Sequence, residues 1–172
     1  MSRTRSAEGM DMAHADERAH ELADLAQRTG ITVAVAESLT SGRLAATLGA
    51  APDSAAWFRG GVVAYSAEVK RTVLGVPDVP VVSRTAAEAM AEGVRSLLKS
   101  VAAVAVTGVG GPDPQDGEPA GSVWFAVATD HDVHAWHRQF DGEPDDVLEQ
   151  TIASAVEWLL ATARDLRANQ SP

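Results

Sequence analysis

The chain has 172 residues, of which 45% are hydrophobic, and its 14 Lys or Arg and 24 Asp or Glu give a formal net charge of -10 at pH 7. This size and composition fit one domain with a full core, and the negative charge argues against broad nucleic-acid binding, which needs a basic face against the phosphates. The sequence contains no cysteine, which excludes disulfides, thiolate metal sites and a cysteine nucleophile.

The first part of the chain is predicted to form a helix, a strand and a second helix. Apolar periodicity predicts the first helix over residues 11–28, and the apolar run Ile31–Ala36 predicts the first strand. Thr40 is placed to cap a short helix that ends by Gly49. Residues 50–54 are predicted to form a loop.

The middle of the chain repeats this alternation. Residues 61–64 are predicted to form the second strand, and Ser66 is placed to cap a helix that ends before Gly75. Ser83 is placed in the same way at the start of an amphipathic helix over residues 84–99. Residues 101–106 form the third predicted strand.

The C-terminal part is predicted to form a hairpin and a helix. Residues 121–129 and 133–140 form the hairpin, and residues 145–167 form the last helix. This order mixes parallel crossovers with an antiparallel hairpin, so we predict an α/β fold with a mixed sheet and five helices on its two faces.

We expect one domain over residues 11–167, a disordered tail over residues 1–10 and a C-terminal tail over residues 168–172. No run of about 18 apolar residues occurs, and no apolar segment follows the arginines near the N-terminus. We therefore expect a soluble cytoplasmic protein.

Three polar turns follow predicted strands. The first strand ends abruptly in a carboxylate and three hydroxyls, which is typical of a strand that delivers a polar site to the edge of an open α/β sheet. The turns are Glu37–Gly42, Tyr65–Lys70 and Thr107–Pro112. We expect them to converge on one pocket.

Four motifs stand in order along the chain: Ala36–Gly42; Gly61–Lys70 with Leu74–Val76; Val82–Ser83 with Met90–Gly93; and Val106–Asp113 with Pro119–Val123. At this spacing they resemble the signatures of the C-terminal domain of the competence/damage-inducible CinA family. The resemblance covers about residues 22–160.

Members of that family include stand-alone amidases that hydrolyse nicotinamide mononucleotide to nicotinic acid mononucleotide and ammonia. The resemblance implies that this chain is such an amidase, with a nucleotide as its small-molecule substrate. It also implies a three-layer α/β/α sandwich with a mixed, mostly parallel sheet, no metal or organic cofactor, and a homo-oligomer. Neither nucleic acid nor a membrane is an expected partner.

Amide hydrolysis needs a nucleophile, a group that carries its proton and donors for the oxyanion. With no cysteine available, Ser38 is the predicted nucleophile, and Lys70 and Tyr65 are predicted to move its proton. Backbone N–H groups of residues 40–42 or 108–111 are predicted to hold the oxyanion or a phosphate. The predicted substrate-binding residues are Glu37, Thr40, Ser41, Gly42, Gly61, Thr107, Gly108 and Gly111.

These residues also have structural alternatives. Ser38 and Thr40 are ordinary N-cap residues, Lys70 fits a solvated helix lysine, and Tyr65 fits a half-buried strand aromatic. Glu37 is either a base or an orienting group, and we favour the orienting role. The histidines show no spacing that is typical of a metal site.

The segment Phe140–Leu148 departs from the family pattern. Relatives commonly carry a Gly-Asp-Arg run and a second arginine here, and both arginines are absent from this chain. A bidentate partner for phosphate is lost with them. Two alternatives therefore stay open: an amidase for a less charged amide, and a catalytically silent module that binds a nucleotide or a protein partner.

Overall fold

The computed structural model describes the backbone of residues 4–170 and the side chains of residues 12–169. Within this range the chain alternates between helices and strands. The helices are α1 (Thr4–Thr29), α2 (Arg43–Gly49), α3 (Ser54–Trp57), α4 (Ala67–Leu74), α5 (Arg84–Leu98) and α6 (Pro144–Gln170). The strands are β1 (Val33–Glu37), β2 (Phe58–Val63), β3 (Ala102–Gly108), β4 (Ser122–Ala128) and β5 (Val133–Gln139).

The five strands form one mixed sheet in the order β2-β1-β3-β4-β5. β1 runs parallel to both of its neighbours, whereas β4 runs antiparallel to β3 and β5. All strands except β4 therefore point in the same direction, which confirms the prediction of a mixed, mostly parallel sheet. The carboxyl ends of β1, β2 and β3 lie at one edge of the sheet.

Side-chain alternation along the strands separates two cores. In β1, Val33 and Val35 pack into the core under α1, α2 and α6, whereas Ala34 and Ala36 pack into the core under α4 and α5. β3 repeats this alternation of valine and alanine. Successive strand residues point to opposite faces, so both faces are covered by helices and the predicted three-layer α/β/α sandwich is confirmed.

The predicted caps of two helices are confirmed. The hydroxyl of Ser66 accepts a hydrogen bond from Val69 N–H at 3.2 Å, and that of Ser83 accepts one from Ala86 N–H at 3.2 Å. Each hydroxyl satisfies one of the backbone donors that a helix leaves free in its first turn.

Other boundaries differ from the predictions. α1 begins at Thr4 and α6 ends at Gln170, so helix occupies residues 4–10 and 168–170, where tails were expected. Residues 1–3 and 171–172 of those tails lie outside the described residues. The short helix α3 begins at the last residue of the predicted loop 50–54 and is not among the five predicted helices, and it brings Trp57 into the core. None of the helices in the described part of the chain combines the length and apolar character needed to span a membrane.

Candidate active site

A cavity of about 350 Å³ lies at the edge of the sheet where β1 and β3 end. Its size falls within the range of small-molecule sites. Its lining is Ser38, Leu39, Ser41, Tyr65, Lys70, Val81, Val82, Thr107, Gly108, Val109, Gly110, Gly111, Asp113, Gln115, Pro144 and Leu148. Residues of all three predicted polar turns thus meet at one cavity.

Lys70 lies beneath this cavity and contacts Ser38. α4 carries the lysine, whose side chain is only 1% exposed. Its Nζ donates to Ser38 Oγ at 2.9 Å, to the Ala64 carbonyl at 2.7 Å and to the Tyr65 carbonyl at 3.3 Å. The three acceptors match the three protons of an ammonium, so this buried group is fully paired. Lys70 is therefore not a solvated surface lysine.

The surroundings of Lys70 favour proton exchange with Ser38. Burial lowers the pKa of the Lys70 ammonium, and the negative charge of Asp116 opposes this shift. Once the amine is neutral, its two remaining protons can stay on the Ala64 and Tyr65 carbonyls, which leaves the lone pair facing Ser38 Oγ. The arrangement can thus remove a proton from the serine hydroxyl and return it.

Glu37 has a structural role behind the cavity. Its fully buried carboxylate accepts hydrogen bonds from Thr40 Oγ1 at 2.6 Å, Gly42 N–H at 3.2 Å, Leu44 N–H at 2.9 Å and Ala45 N–H at 2.9 Å. The carboxylate thereby caps α2 and opposes the positive end of its dipole. Glu37 does not line the cavity, so it is not placed to bind substrate directly, and its orienting role for the turn that carries Ser38 stays a prediction.

The predicted cap by Thr40 is wrong. Gly42 is the N-cap of α2, and the Thr40 hydroxyl donates to Glu37 rather than accepting from the helix. Ser41 N–H donates to the Ser38 carbonyl at 3.2 Å, and Gly42 N–H is taken by Glu37. Both N–H groups are thus withdrawn from the role of oxyanion or phosphate donors that was predicted for residues 40–42.

The glycine-rich turn after β3 offers donors instead. A Cβ on Gly108 would lie 2.6 Å from the Ser122 carbonyl oxygen, so only glycine lets β3 approach β4 this closely. Val109 N–H donates to that same carbonyl at 2.9 Å. Among the described residues, no hydrogen-bond acceptor engages the N–H groups of Gly110 and Gly111, and both glycines line the cavity. These two N–H groups are available to a ligand.

The other predicted site residues fall into different places. Thr107 lines the cavity, with its hydroxyl donating to the Val81 carbonyl at 2.6 Å. Tyr65 lies at the cavity mouth with 71% of the residue exposed, and its part in proton transfer stays a prediction. Gly61 lies away from the cavity inside β2, where a Cβ would come within 2.6 Å of Val35 Cγ2. Its absent side chain serves strand packing.

Several lining residues were missed by sequence reasoning. Val81 and Val82 come from the loop before α5, Asp113 and Gln115 come from the segment between β3 and β4, and Leu148 comes from α6. Val82 and Asp113 stand within the motifs that carry the family resemblance, but neither was singled out as a site residue. Only the folding of the chain brings these residues to the cavity. The departure of the segment around Pro144 from the family pattern was the one signal in this direction, and Pro144 does line the cavity.

The charge of the lining is sparse. Among the described residues, Lys70 is the only basic and Asp113 the only acidic side chain in the lining. Arg43 lies nearby, but its guanidinium faces Asp145 at 3.9 Å and Glu149 at 3.7 Å. No group of three or more His, Asp or Glu residues in the described chain is arranged to hold a metal ion.

Sequence comparisons relate the chain to one family. A model of the CinA C-terminal domain matches residues 15–163. The nicotinamide-nucleotide amidohydrolase PncC of Pseudomonas putida is 38% identical over 148 residues, which are 83% of this chain and 92% of that protein. A CinA-like protein of Geobacter metallireducens is 38% identical over 144 residues, which are 80% of this chain and 35% of that protein. The chain spans about a third of the length of such longer relatives.

Solved structures share the fold. A CinA superfamily protein from Klebsiella pneumoniae 700603 superposes with a TM-score of 0.83 at 33% identity, covering 88% of this chain and 98% of that chain. The CihA protein of Agrobacterium tumefaciens gives a TM-score of 0.82 at 31% identity, covering 86% of this chain and 94% of that chain. These similarities confirm the predicted family and fold class.

Proposed function

This chain belongs to the CinA C-terminal domain family, and on that premise we propose that it is an amidohydrolase that converts nicotinamide mononucleotide to nicotinic acid mononucleotide and ammonia. The observation that carries the proposal is the 2.9 Å contact between Lys70 Nζ and Ser38 Oγ inside a cavity of small-molecule size. Support also comes from the amidohydrolase of Pseudomonas putida, which aligns over 83% of the chain.

The first half of the proposed reaction forms an ester on Ser38. Neutral Lys70 takes the proton of Ser38 Oγ while the oxygen bonds to the amide carbonyl carbon. The N–H groups of Gly110 and Gly111 stabilise the resulting oxyanion. Lys70 then gives its proton to the amide nitrogen, the carbon–nitrogen bond breaks, and ammonia leaves.

The second half regenerates the enzyme. A water molecule attacks the ester carbonyl while Lys70 accepts one of its protons, and Lys70 returns that proton to Ser38 Oγ as the ester bond breaks. The net reaction consumes one amide and one water and releases one carboxylic acid and one ammonia. We assign Tyr65, which is at the exposed mouth, to proton exchange with solvent.

A second candidate substrate is an amide without a phosphate. The observation that favours it is the lining, in which Lys70 is the only basic residue among those described. Phosphate binding usually relies on arginine forks or free helix N-termini, and the N-terminus of α2 is occupied by Glu37. The related riboside, which lacks the phosphate, would use the same ester chemistry.

The test compares ammonia release by the wild type, Ser38→Ala and Ser96→Ala. Ser96 is an exposed serine on α5, so its variant is a matched control. We expect Ser38→Ala to lose at least about 10³-fold in turnover, because the nucleophile is removed. We expect its unfolding free energy to change by only about 1 to 2 kcal/mol, since one hydrogen bond to Lys70 is lost.

Nicotinamide mononucleotide, its riboside and nicotinamide are the three substrates to assay. Retention of most activity in Ser38→Ala would remove this serine from the mechanism. Failure of the wild type to release ammonia from any of the three would contradict the hydrolase proposal and would favour a catalytically silent binding module.

A further inference from the structure

Asp113 places an unpaired negative charge on the cavity wall. It follows the glycine-rich turn, on the segment that connects β3 and β4, and it lines the same cavity as Ser38 and Lys70. Among the described residues, no hydrogen bond or ion pair engages its carboxylate. A carboxylate in this position is free to face a bound ligand.

No positive side chain of the site balances this charge. Lys70 is buried beneath the cavity, and its ammonium donates all three hydrogen bonds to Ser38, Ala64 and Tyr65. Arg43, two residues after the lining residue Ser41, faces Asp145 and Glu149 on α6.

The other charges on the Asp113 segment are also negative. Asp116 lies three residues further on and acts electrostatically on Lys70, while Glu118 accepts a hydrogen bond from Ser122 Oγ at 3.0 Å. Neither Asp116 nor Glu118 lines the cavity, so Asp113 is the carboxylate of this segment that a bound ligand meets.

We infer that the site recognises its substrate through a positive ring charge, with Asp113 as the counter-ion of an N-substituted pyridinium that carries the reacting amide. This inference rests on the proposed hydrolase function of the same cavity and narrows its substrate class. N-substituted nicotinamides carry a permanent positive charge on the ring, whereas free nicotinamide is neutral near pH 7. Asp113 therefore selects the N-substituted form and disfavours the free amide.

The expected effect is moderate because Asp113 is exposed to solvent. An exposed pair of opposite charges changes affinity by up to about fivefold. A phosphate on the same ligand gains nothing from Asp113, so this residue discriminates by ring charge alone.

The test uses two probes of equal shape. 1-Methylnicotinamide is a cation, and 3-methylbenzamide is its neutral counterpart with a carbon in place of the ring nitrogen. Their dissociation constants are measured by calorimetry on Ser38→Ala protein, which prevents turnover of the probes. The measured quantity is the ratio of the two constants, so effects on shape and on the amide contact cancel.

Three further substitutions are made in this background: Asp113→Asn, Asp113→Glu and Asp165→Asn. We expect Asp113→Asn to lower the preference for the cation by about two- to fivefold, and added salt to reduce it in the parent protein. Asp113→Glu keeps the charge and should keep the preference. Asp165→Asn changes the net charge equally at an exposed position on α6, and it should leave the ratio unchanged.

An unchanged ratio in Asp113→Asn, an equal loss of both probes, or no measurable binding of the cation would each overturn the inference. The hydrolase proposal is judged separately, by ammonia release from the wild type. If Asp113→Asn shifts the ratio but the wild type releases no ammonia, the cation site is supported and the hydrolase proposal is contradicted. If the wild type releases ammonia but Asp113→Asn leaves the ratio unchanged, the hydrolase proposal is supported and the cation site is contradicted.

Discussion

Replacing Lys70 by methionine tests the neutral lysine through stability, independently of any substrate. The Lys70 side chain is 1% exposed, and burial lowers the pKa of its ammonium from an ordinary value of 10.5. In the unfolded chain the lysine is exposed and keeps that ordinary pKa. Methionine has a similar length and does not titrate, so the variant removes this proton-linked contribution and little volume.

The sign of the pH dependence follows from proton counting. Between the folded and unfolded pKa values of Lys70, the unfolded chain holds a proton that the folded chain has released. The free energy of unfolding therefore rises with pH in this window, by at most about 1.36 kcal/mol per pH unit. Below the folded pKa both states are protonated, and the contribution of Lys70 is constant. The free energy of unfolding of the wild type minus that of Lys70→Met should thus increase as pH approaches 10.5 from below.

The assay is urea unfolding of both proteins at a series of pH values from about 6 to about 10. Lys99→Met is the matched control, because it makes the same substitution at an exposed lysine. The control separates the effect of the buried lysine from the general effect of replacing one lysine by methionine. A Lys70→Met difference that is flat or falls with pH would refute the argument that burial dominates the pKa of Lys70. In the activity assay, Lys70→Met should lower kcat/KM by about 10² to 10⁴-fold.

Three further substitutions test neighbouring parts of the site. Tyr65→Phe should lower kcat by at least about tenfold with little change in KM if the phenol carries protons, whereas a raised KM with unchanged kcat would make it only a substrate contact. Pro144→Arg adds a cation to the cavity lining. It should raise the ratio of kcat/KM for the mononucleotide over its riboside by about fivefold, because a partly exposed ion pair between the arginine and the phosphate contributes about 1 kcal/mol. A strong wild-type preference for the mononucleotide would contradict that reasoning. Glu37→Gln turns an amide NH2 towards the N–H donors of α2 and should lower the free energy of unfolding, measured in urea, by about 2 to 4 kcal/mol. An unchanged free energy of unfolding would contradict the capping role of Glu37.

Much of the fold followed from local sequence signals. The caps by Ser66 and Ser83 were predictable because each hydroxyl bonds to an N–H only three residues away. The three polar turns were predicted to converge because parallel strands end at the same sheet edge. The cap by Thr40 was predicted wrongly, because a buried carboxylate that precedes it by three residues supplies a stronger acceptor for the same helix.

The sequence by itself determined the order of the strands and of the longer helices, the two-faced sheet, and the places of Ser38 on a turn after a strand and of Lys70 on the helix capped by Ser66. These properties depend on short-range periodicity and backbone hydrogen bonding, which a local stretch of residues specifies. Only the tertiary structure decided that Lys70 Nζ lies 2.9 Å from Ser38 Oγ, that Gly61 serves strand packing, and that Asp113 and Pro144 line the cavity. Those facts depend on how distant loops fold back over the sheet edge, because a contact between residues 32 positions apart is set by packing rather than by spacing along the chain.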